Sequence, residues 1–166
     1  TIERNSKWLE DTVSELLEFR RLEEKKYAVH FVRIDLVELL QELYNKFLPY
    51  AQFHHIHFDF FCKEESLLAD VDPKAVVKIA SNLITNAFKY TTDRIIIRLR
   101  YRPKSESVLI TVHDNGMGIA QQDIQTVFEP FTQIVTEKGK FKGVGLGLAL
   151  SSSLVKLHGG DISISS

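Results

Sequence analysis

Helical and extended segments alternate along this 166-residue chain, and their order restricts the folds that it can adopt. Asp35 precedes apolar residues at helical spacing, and Asp72-Pro73 is an N-cap followed by proline at the first helical position. Helices are predicted from both points, the second to about Tyr90, and also over 146–158 and briefly over 123–128. Strand patterns occupy 27–34, 57–62, 94–102, 108–113 and 161–165, and the turn 103–106 joins two of them as a hairpin. We therefore predict an α+β fold, with a mixed sheet that carries its helices on one face.

The composition is typical of a globular protein, with 44% hydrophobic and 26% charged residues. Cys62 is the sole cysteine, which excludes an internal disulfide and a cysteine-based zinc cluster. Of the neighbouring histidines only His55 and His57 share a strand face, so a zinc site is a minor alternative. A formal net charge of -1 argues against a large nucleic-acid-binding surface. No apolar run approaches the roughly 18 residues that span a bilayer, and no signal-peptide pattern opens the chain.

The first 26 residues are dense in charge and carry Ile2, Leu9 and Leu16 at intervals of seven. Such a repeat on a charged helix is typical of a coiled-coil or bundle seam, although an amphipathic helix folded onto its own domain is the alternative. We interpret 1–26 as a bundle-type helix whose partners lie outside this chain, and 27–166 as a separate domain. The chain does not open like a natural start, so we expect it to be part of a longer protein.

The helix that begins after Asp72 carries a polar stripe. Asn82, Asn86 and Lys89 are spaced i, i+4, i+7 and fall within a sector of about 60°. Asparagine is a poor residue for a helix interior, so two on one stripe suggest a function, although a solvated face is the alternative. An amide oxygen suits magnesium, which prefers few protein ligands plus phosphate oxygens, and a lysine one turn on suits phosphate.

A second motif, Asp114-Asn115-Gly116-Met117-Gly118-Ile119, directly follows a predicted strand. Glycine at alternate positions permits close approach of the backbone to a flat ligand. A carboxylate at the end of a strand can accept a hydrogen bond from an exocyclic amine such as that of adenine. A hairpin turn with an Asx motif fits the same residues and stays an alternative.

A third motif, Gly143-Val144-Gly145-Leu146-Gly147-Leu148, runs directly into a helix. Such a loop directs backbone N–H groups and the helix dipole at an anion, although a flexible linker is the alternative. It fits neither the P-loop nor the Rossmann spacing. Taken together and in this order, the three motifs predict one nucleotide site.

These residues resemble the ATP-binding catalytic domain of two-component sensor histidine kinases, whose fold group includes gyrase, a heat-shock chaperone and mismatch-repair ATPases. Residues 82–91 resemble the family's N box, 114–119 its first glycine box, 128–131 its F box and 143–148 its second glycine box. The resemblance covers about residues 27–166. It implies a two-layer α/β sandwich of the Bergerat type, with ATP and Mg²⁺ as cofactors and protein-histidine kinase activity.

The resemblance also implies roles for individual residues. Asn86 would hold magnesium with help from Asn82, and Lys89 would contact phosphate. Asn86 and Lys89 would therefore be the catalytic residues. Tyr90 would lie against the base or sugar, and Asp114 would bond the adenine amine. The remaining ATP contacts would come from the two glycine boxes and the lid: Gly116, Gly118, Ile119, Phe131, Gly143, Val144, Gly145, Leu146, Gly147 and Leu148.

The stretch from about Gln121 to Lys142 would form a lid over the nucleotide, anchored by Phe128 and Phe131. Three lysines of this stretch either add positive potential near the triphosphate or simply form a solvated basic loop. They are Lys138, Lys140 and Lys142.

Asn82 distinguishes between branches of this fold group. In the members that hydrolyse ATP with water, the position four before the magnesium asparagine is a glutamate that acts as general base. An amide cannot accept a proton from water near neutral pH, so the sequence favours phosphoryl transfer to a separate acceptor. A water-using ATPase clamp and a non-catalytic nucleotide-binding or interaction domain remain alternatives, as does a serine-directed anti-sigma kinase, against which the leading helix argues.

None of the six histidines has the acidic residue and proline that follow the family's phosphoacceptor histidine. Residues 1–26 resemble the second helix of the dimerisation and phosphoacceptor hairpin. The implied partners are therefore an acceptor helix before Thr1, in the parent protein or its dimer mate, a response regulator receiver domain, and a second copy of the full-length protein. Further strands are expected after Ser166. The implied location is the cytoplasmic side, with an inner-membrane sensor as one form of the parent.

Overall fold

The structure, a computed structural model, describes residues 2–133 and 144–166, without the side chains of residues 2–5. Its elements, in chain order, are α1 (Ile2–Glu23), β1 (Val32–Asp35), α2 (Leu36–Phe53), β2 (His57–Cys62), β3 (Leu68–Val71), α3 (Pro73–Tyr90), β4 (Arg94–Arg102), β5 (Ser107–Asp114) and α4 (Gly147–Leu157). They belong to two compact units, residues 30–118 and residues 1–29 together with 119–166. No helix in the described ranges is long and apolar enough to cross a membrane.

Two aspartates begin the helices of the unit 30–118 where the sequence predicts them. Asp35 Oδ1 accepts hydrogen bonds from Val37 N at 2.9 Å and from Leu67 N at 3.0 Å, so it caps α2 and also holds the segment before β3. Asp72 is buried and accepts hydrogen bonds from two N–H groups in the first turn of α3, at 3.0 and 3.3 Å. Its other oxygen accepts from His30 N at 3.1 Å, which ties the start of α3 to the chain before β1.

The sheet of this unit is mixed, as predicted. β4 lies between β2, to which it is parallel, and β5, to which it is antiparallel. In this register His57 lies opposite Arg94, and Ile95 lies opposite Asp114. The predicted hairpin is thus confirmed as β4–β5. β1 and β3 form a separate two-stranded antiparallel sheet.

A single apolar cluster joins α2 and α3 to one face of the three-stranded sheet. Alternate residues of β4 face it, because side chains along a strand point to opposite faces in turn. The predicted arrangement, with helices on one face of the sheet, is confirmed for this unit. The cluster includes Leu36, Leu40 and Leu43 of α2, Ala80, Ile84 and Ala87 of α3, Phe58 of β2, and Ile95, Ile97 and Leu99 of β4.

Three elements differ from the sequence-based expectations. Of the extended run predicted over 27–34, only the part that begins at Val32 forms a strand, because β3 pairs with it there. The sequence does not predict β3, which has only four residues. Residues 123–128 form successive turns instead of a short α-helix. Residues 161–165 alternate between exposed and half-buried as a strand would, but they form no ladder with any described residue. Alternation predicts a face, whereas a strand also needs a neighbour for its backbone hydrogen bonds.

The second unit contains α1 and α4. Leu146, Leu150 and Leu154 are fully buried, and Phe19 of α1 is 9% exposed. By contrast, the remaining large apolar side chains of α1 between residues 8 and 17 are 38–55% exposed, namely Trp8, Leu9, Val13, Leu16 and Leu17. An exposed apolar stripe fits the interpretation of 1–26 as a bundle helix, but the boundary at residue 26 stays a prediction.

Candidate nucleotide-binding site

The predicted polar stripe lies on α3. Asn82 and Asn86 are half-buried and Lys89 is exposed, whereas Ile84 and Ala87 on the same helix are buried in the core. The side-chain amide of Asn86 makes no hydrogen bond with any described residue. A half-buried amide without a hydrogen-bond partner among the described residues is suited to a ligand. One or two amide oxygens are a donor set that Mg²⁺ accepts when phosphate oxygens complete its shell.

The first glycine box packs directly on the C-terminal end of this helix. A Cβ added at Gly116 would overlap the carbonyl oxygen of Tyr90 and would lie 2.7 Å from Asp114 Oδ1. Only glycine fits this position without moving the backbone of one of the two segments. Tyr90, Asp114 and Gly116 are therefore brought together, as the nucleotide hypothesis requires.

The geometry of the Asp114 carboxylate is compatible with both interpretations of the sequence, an Asx turn and an acceptor for a ligand amine. Its Oδ1 accepts a hydrogen bond from Gly116 N at 2.8 Å, which is the Asx turn. Its Oδ2 has no hydrogen-bond partner in the described part of the chain. The turn thus holds the carboxylate in one orientation and leaves an acceptor for a ligand amine. Gly118, two residues after Gly116, has a φ of +74°, a conformation that favours glycine.

Asn115 holds this turn in place, a role that sequence reasoning missed. Its Oδ1 accepts hydrogen bonds from Thr91 Oγ1 and Arg94 N at 3.0 Å and from Asp93 N at 3.2 Å. Its Nδ2 donates to Asp93 Oδ1 at 2.7 Å, and its backbone carbonyl accepts from Thr92 Oγ1 at 3.1 Å. We call this set of contacts, between Asn115 and residues 91–94, the Asn115 clasp. It connects the residue between Asp114 and Gly116 to the loop that follows α3.

Tyr90 ends α3 beside this turn and is half-buried. Burial raises the pKa of its phenol above the ordinary value of 10.0, so the hydroxyl stays neutral near neutral pH. A neutral aromatic side chain at the end of α3, whose carbonyl oxygen lies against Gly116, suits contact with a base or sugar.

The F box and the second glycine box contact each other within the second unit. Phe131 N donates to Gly145 O at 3.0 Å, and a Cβ at Gly145 would lie 2.6 Å from Thr132 O. Gly145 has φ +76°, so both its conformation and its close neighbour require glycine. The Phe131 ring is 59% exposed and meets the Phe19 ring edge-on, with 6.5 Å between centroids.

The second glycine box leads into α4, which begins at Gly147. Its N-cap, Leu146, is fully buried and supplies no side-chain hydrogen bond to the first turn. Such a terminus is suited to an anion. Ser151 Oγ donates to Gly147 O at 2.9 Å inside the first turn. Val144 and Leu148 are half-buried, whereas Gly143 and the lysines 138, 140 and 142 lie outside the described residues.

A zinc site at the histidines finds no support. The described residues contain no group of three His, Cys, Asp or Glu side chains able to hold a metal ion. His55 lies in a turn with φ +56°, and only His57 is in β2.

The sequence matches the family model described as "Histidine kinase-, DNA gyrase B-, and HSP90-like ATPase" over residues 71–166. The chain belongs to this ATPase family. Within the family its relatives are sensor kinases, which confirms the predicted resemblance to their ATP-binding catalytic domain. The matched range contains the polar stripe of α3, both glycine boxes and the F box.

Two curated relatives illustrate the similarity. The alginate biosynthesis sensor protein KinB of Pseudomonas aeruginosa is 31% identical over 154 residues, which are 93% of this chain and 25% of that protein. The sensor histidine kinase TmoS of Ectopseudomonas mendocina is 34% identical over 166 residues, 99% of this chain and 17% of that protein. The chain thus spans a quarter or less of the length of these relatives.

A solved structure shows the same fold. Full-length ShkA in complex with AMPPNP matches this chain with a TM-score of 0.83 and 24% sequence identity. The match covers 95% of this chain and 33% of the ShkA chain. At this identity the likeness concerns the fold alone. It confirms the predicted α+β fold.

Proposed function

We propose that this chain binds Mg-ATP and presents the γ-phosphoryl group to a histidine on a helix outside the chain. The observation that carries the proposal is the packing of Gly116 on Tyr90, which holds the Asp114 carboxylate beside the end of the helix that bears Asn86 and Lys89. ShkA, which is similar in fold, was solved in complex with the ATP analogue AMPPNP, and this supports the choice of nucleotide.

Different residues of the chain would bind the base and the phosphates of ATP. Asp114 Oδ2 would accept the adenine amine, and Tyr90 would contact the base or sugar. Lys89 and the second glycine box would contact the phosphates, and Asn86, assisted by Asn82, would hold the metal. The Mg²⁺ ion, when bound, supplies charge neutralisation on the phosphate oxygens. Catalysis of this kind is mainly positioning and electrostatic stabilisation.

Transfer to a histidine is favoured over hydrolysis by the residue at position 82. An amide there cannot take the proton of an attacking water, whereas an imidazole nitrogen is a nucleophile that needs no such base. In the transfer the bond between the γ-phosphorus and its bridging oxygen breaks, ADP leaves, and a phosphorus–nitrogen bond forms. The phosphoryl group would then pass to a response regulator receiver domain.

The wider assignment follows from the sensor relatives. The names of KinB and TmoS describe sensor proteins, so we propose that this chain is the catalytic part of a longer sensor that works as a dimer. Its place would be the cytoplasmic side, where ATP is available.

The test is to mix the purified chain and radiolabelled Mg-ATP with a separately produced acceptor hairpin. Label on the hairpin that is lost in acid and stable in base is expected, and a hairpin with its histidine changed to glutamine should take none. Steady phosphate release by the chain alone, without labelling of the hairpin, would instead establish a water-using ATPase. Absence of any nucleotide binding would establish a non-catalytic interaction domain.

A further inference from the structure

The face of the three-stranded sheet opposite to α2 and α3 carries a row of arginines. α2 and α3 cover the face to which Ile95, Ile97 and Leu99 point, so the intervening residues of β4 lie on the other face. These are Arg94, Ile96, Arg98, Arg100 and Arg102. Arg94, Arg100 and Arg102 are exposed and Arg98 is half-buried, so the guanidinium row is open to solvent.

None of the four guanidinium groups forms an ion pair with a residue in the described ranges. The acidic residue of β2 on this face is Asp59, opposite Ile96, against four arginines on β4. Glu64 is near the end of the row, but its carboxylate accepts hydrogen bonds from the Cys62 thiol, at 3.3 Å, and from the backbone of Tyr101. The described residues therefore provide no ion pair for this row of positive charges, although the whole chain has a formal net charge of -1.

Apolar side chains accompany the row. Phe61 of β2 lies beside Arg98 and is 54% exposed, and Leu109 of β5 lies beside Arg100 on the same face and is half-buried. A shallow depression of about 300 Å³ is lined in part by Phe61, Lys63, Arg98 and Arg100. Basic groups around an exposed aromatic ring suit a ligand with both acidic and apolar side chains.

We propose that this arginine face binds an acidic amphipathic helix of a partner protein. Alternate residues of a strand are roughly 6.6–6.8 Å apart, and carboxylates four residues apart on a helix project from Cβ atoms about 5–6 Å apart, so one acidic helix stripe can meet successive arginines. Helices are also the elements that cover the faces of sheets in α/β layers. The proposal does not rest on nucleotide binding.

The test uses a fluorescent helical peptide of roughly 18 residues, with glutamates on one stripe and leucines beside it. A matched peptide has glutamine at every glutamate position. The chain should bind the glutamate peptide at least about fivefold more tightly than the glutamine peptide, and the difference should shrink when the salt is raised from about 50 to about 300 mM.

Pairs of substitutions distinguish binding by the arginine row from non-specific attraction by positive charge elsewhere on the chain. Arg100→Gln/Arg102→Gln should weaken binding of the glutamate peptide by about fivefold, whereas the exposed pair Lys46→Gln/Lys74→Gln should change it by less than about twofold. The reversed pair Arg100→Glu/Arg102→Glu should instead prefer a peptide with lysine at the glutamate positions. The melting temperature of every variant should stay within about 3 °C of that of the parent, which shows that the variants are folded whether or not the chain binds a nucleotide.

Equal binding of the two peptides, equal losses in both glutamine pairs, or failure of the reversed pair to prefer lysine would each overturn the proposal. Two further probes are an oligothymidylate and vesicles that contain phosphatidylserine. If either bound through Arg100 and Arg102 while the glutamate peptide did not bind, the face would be assigned to nucleic acid or to lipid, and the proposal would be overturned.

Discussion

Gly116 lies so close to Tyr90 that a Cβ at residue 116 would overlap the Tyr90 carbonyl oxygen. Gly116→Ala should therefore push the turn at Asp114 away from the end of α3. Overpacking of this kind costs about 1–3 kcal/mol, so a fall in melting temperature of roughly 3–10 °C is expected together with weaker binding of an ATP analogue.

Gly160→Ala is the matched control, because its new Cβ would meet the methyl group Val155 Cγ1 at 3.3 Å and no backbone atom closer than 3.6 Å. It should leave analogue affinity unchanged. Analogue binding by Gly116→Ala as tight as in the parent would show that this close contact does not shape the site.

The acceptor oxygen of Asp114 can be tested separately from its turn. Asp114→Asn retains an oxygen for Gly116 N but replaces the free acceptor with an NH₂ group, which cannot accept a hydrogen bond from an amine. Loss of a charge-assisted hydrogen bond of about 1.5–3 kcal/mol predicts a roughly 10- to 150-fold weaker ATP affinity, with the melting temperature retained. Isothermal titration with ATP measures it, and a change of less than about threefold would contradict the adenine role.

The metal role of Asn86 predicts a loss of magnesium dependence. ATP should bind the parent chain more tightly with Mg²⁺ than with EDTA, and Asn86→Ala should reduce that enhancement to less than about twofold because the amide ligand is gone. Thr85→Ala is a suitable control, since Thr85 is exposed on the same helix and its hydroxyl donates only to Ser81 O, at 2.7 Å. Equal enhancement in all three proteins would refute the assignment.

The Asn115 clasp predicts a rescue by exchange of two residues. Asn115→Asp removes the donor to Asp93 Oδ1 and places two carboxylates at the same contact, so stability should fall by about 1–2 kcal/mol at neutral pH. The double variant Asp93→Asn/Asn115→Asp restores one donor and one acceptor in the reverse sense. It should regain at least about half of the lost stability, measured by urea unfolding. Additive losses would show that the contact does not couple the two residues.

Asp35 predicts an acid limit to stability. Hydrogen bonds from Ser66 and from the backbone of Leu67 hold the pKa of its carboxyl below the ordinary value of 3.8. Because the folded pKa is depressed, this contribution is present above the unfolded pKa and is lost as pH falls through the folded one. The melting temperature of the parent should therefore fall more steeply than that of Asp35→Asn below about pH 4. Parallel curves for the two proteins would contradict this origin of the acid sensitivity.

The sequence predicts best those elements whose ends carry a local chemical signal. α3 runs from Pro73 to Tyr90, as predicted, because Asp72 provides its cap and proline its first turn. β4 spans Arg94–Arg102 as predicted, because its alternation is long enough to distinguish it from a helix. β3 has only four residues and is stabilised by its pairing with β1, which no local pattern reports.

The site divides in the same way. Asn86, Asp114 and the glycines are visible as motifs, since residue types and spacing suffice to find them. The Asn115 clasp is not, because its partners in residues 91–94 are more than twenty positions away in the chain. The reason for glycine at residue 116 is likewise not local. The motif predicts that glycine at residue 116 leaves room for a base. In the structure the space that a Cβ would need there is taken by the carbonyl oxygen of Tyr90.

The hydrogen bond from Phe131 N to Gly145 O fixes both ends of the segment between these two residues. The entropic cost of closing a loop rises only slowly with its length, so insertions or deletions in that segment need not disturb either end. Homologous proteins are therefore expected to differ in the number of residues there while they keep a glycine at the position of Gly145, so this segment is a practical place to graft sequence from one homologue to another.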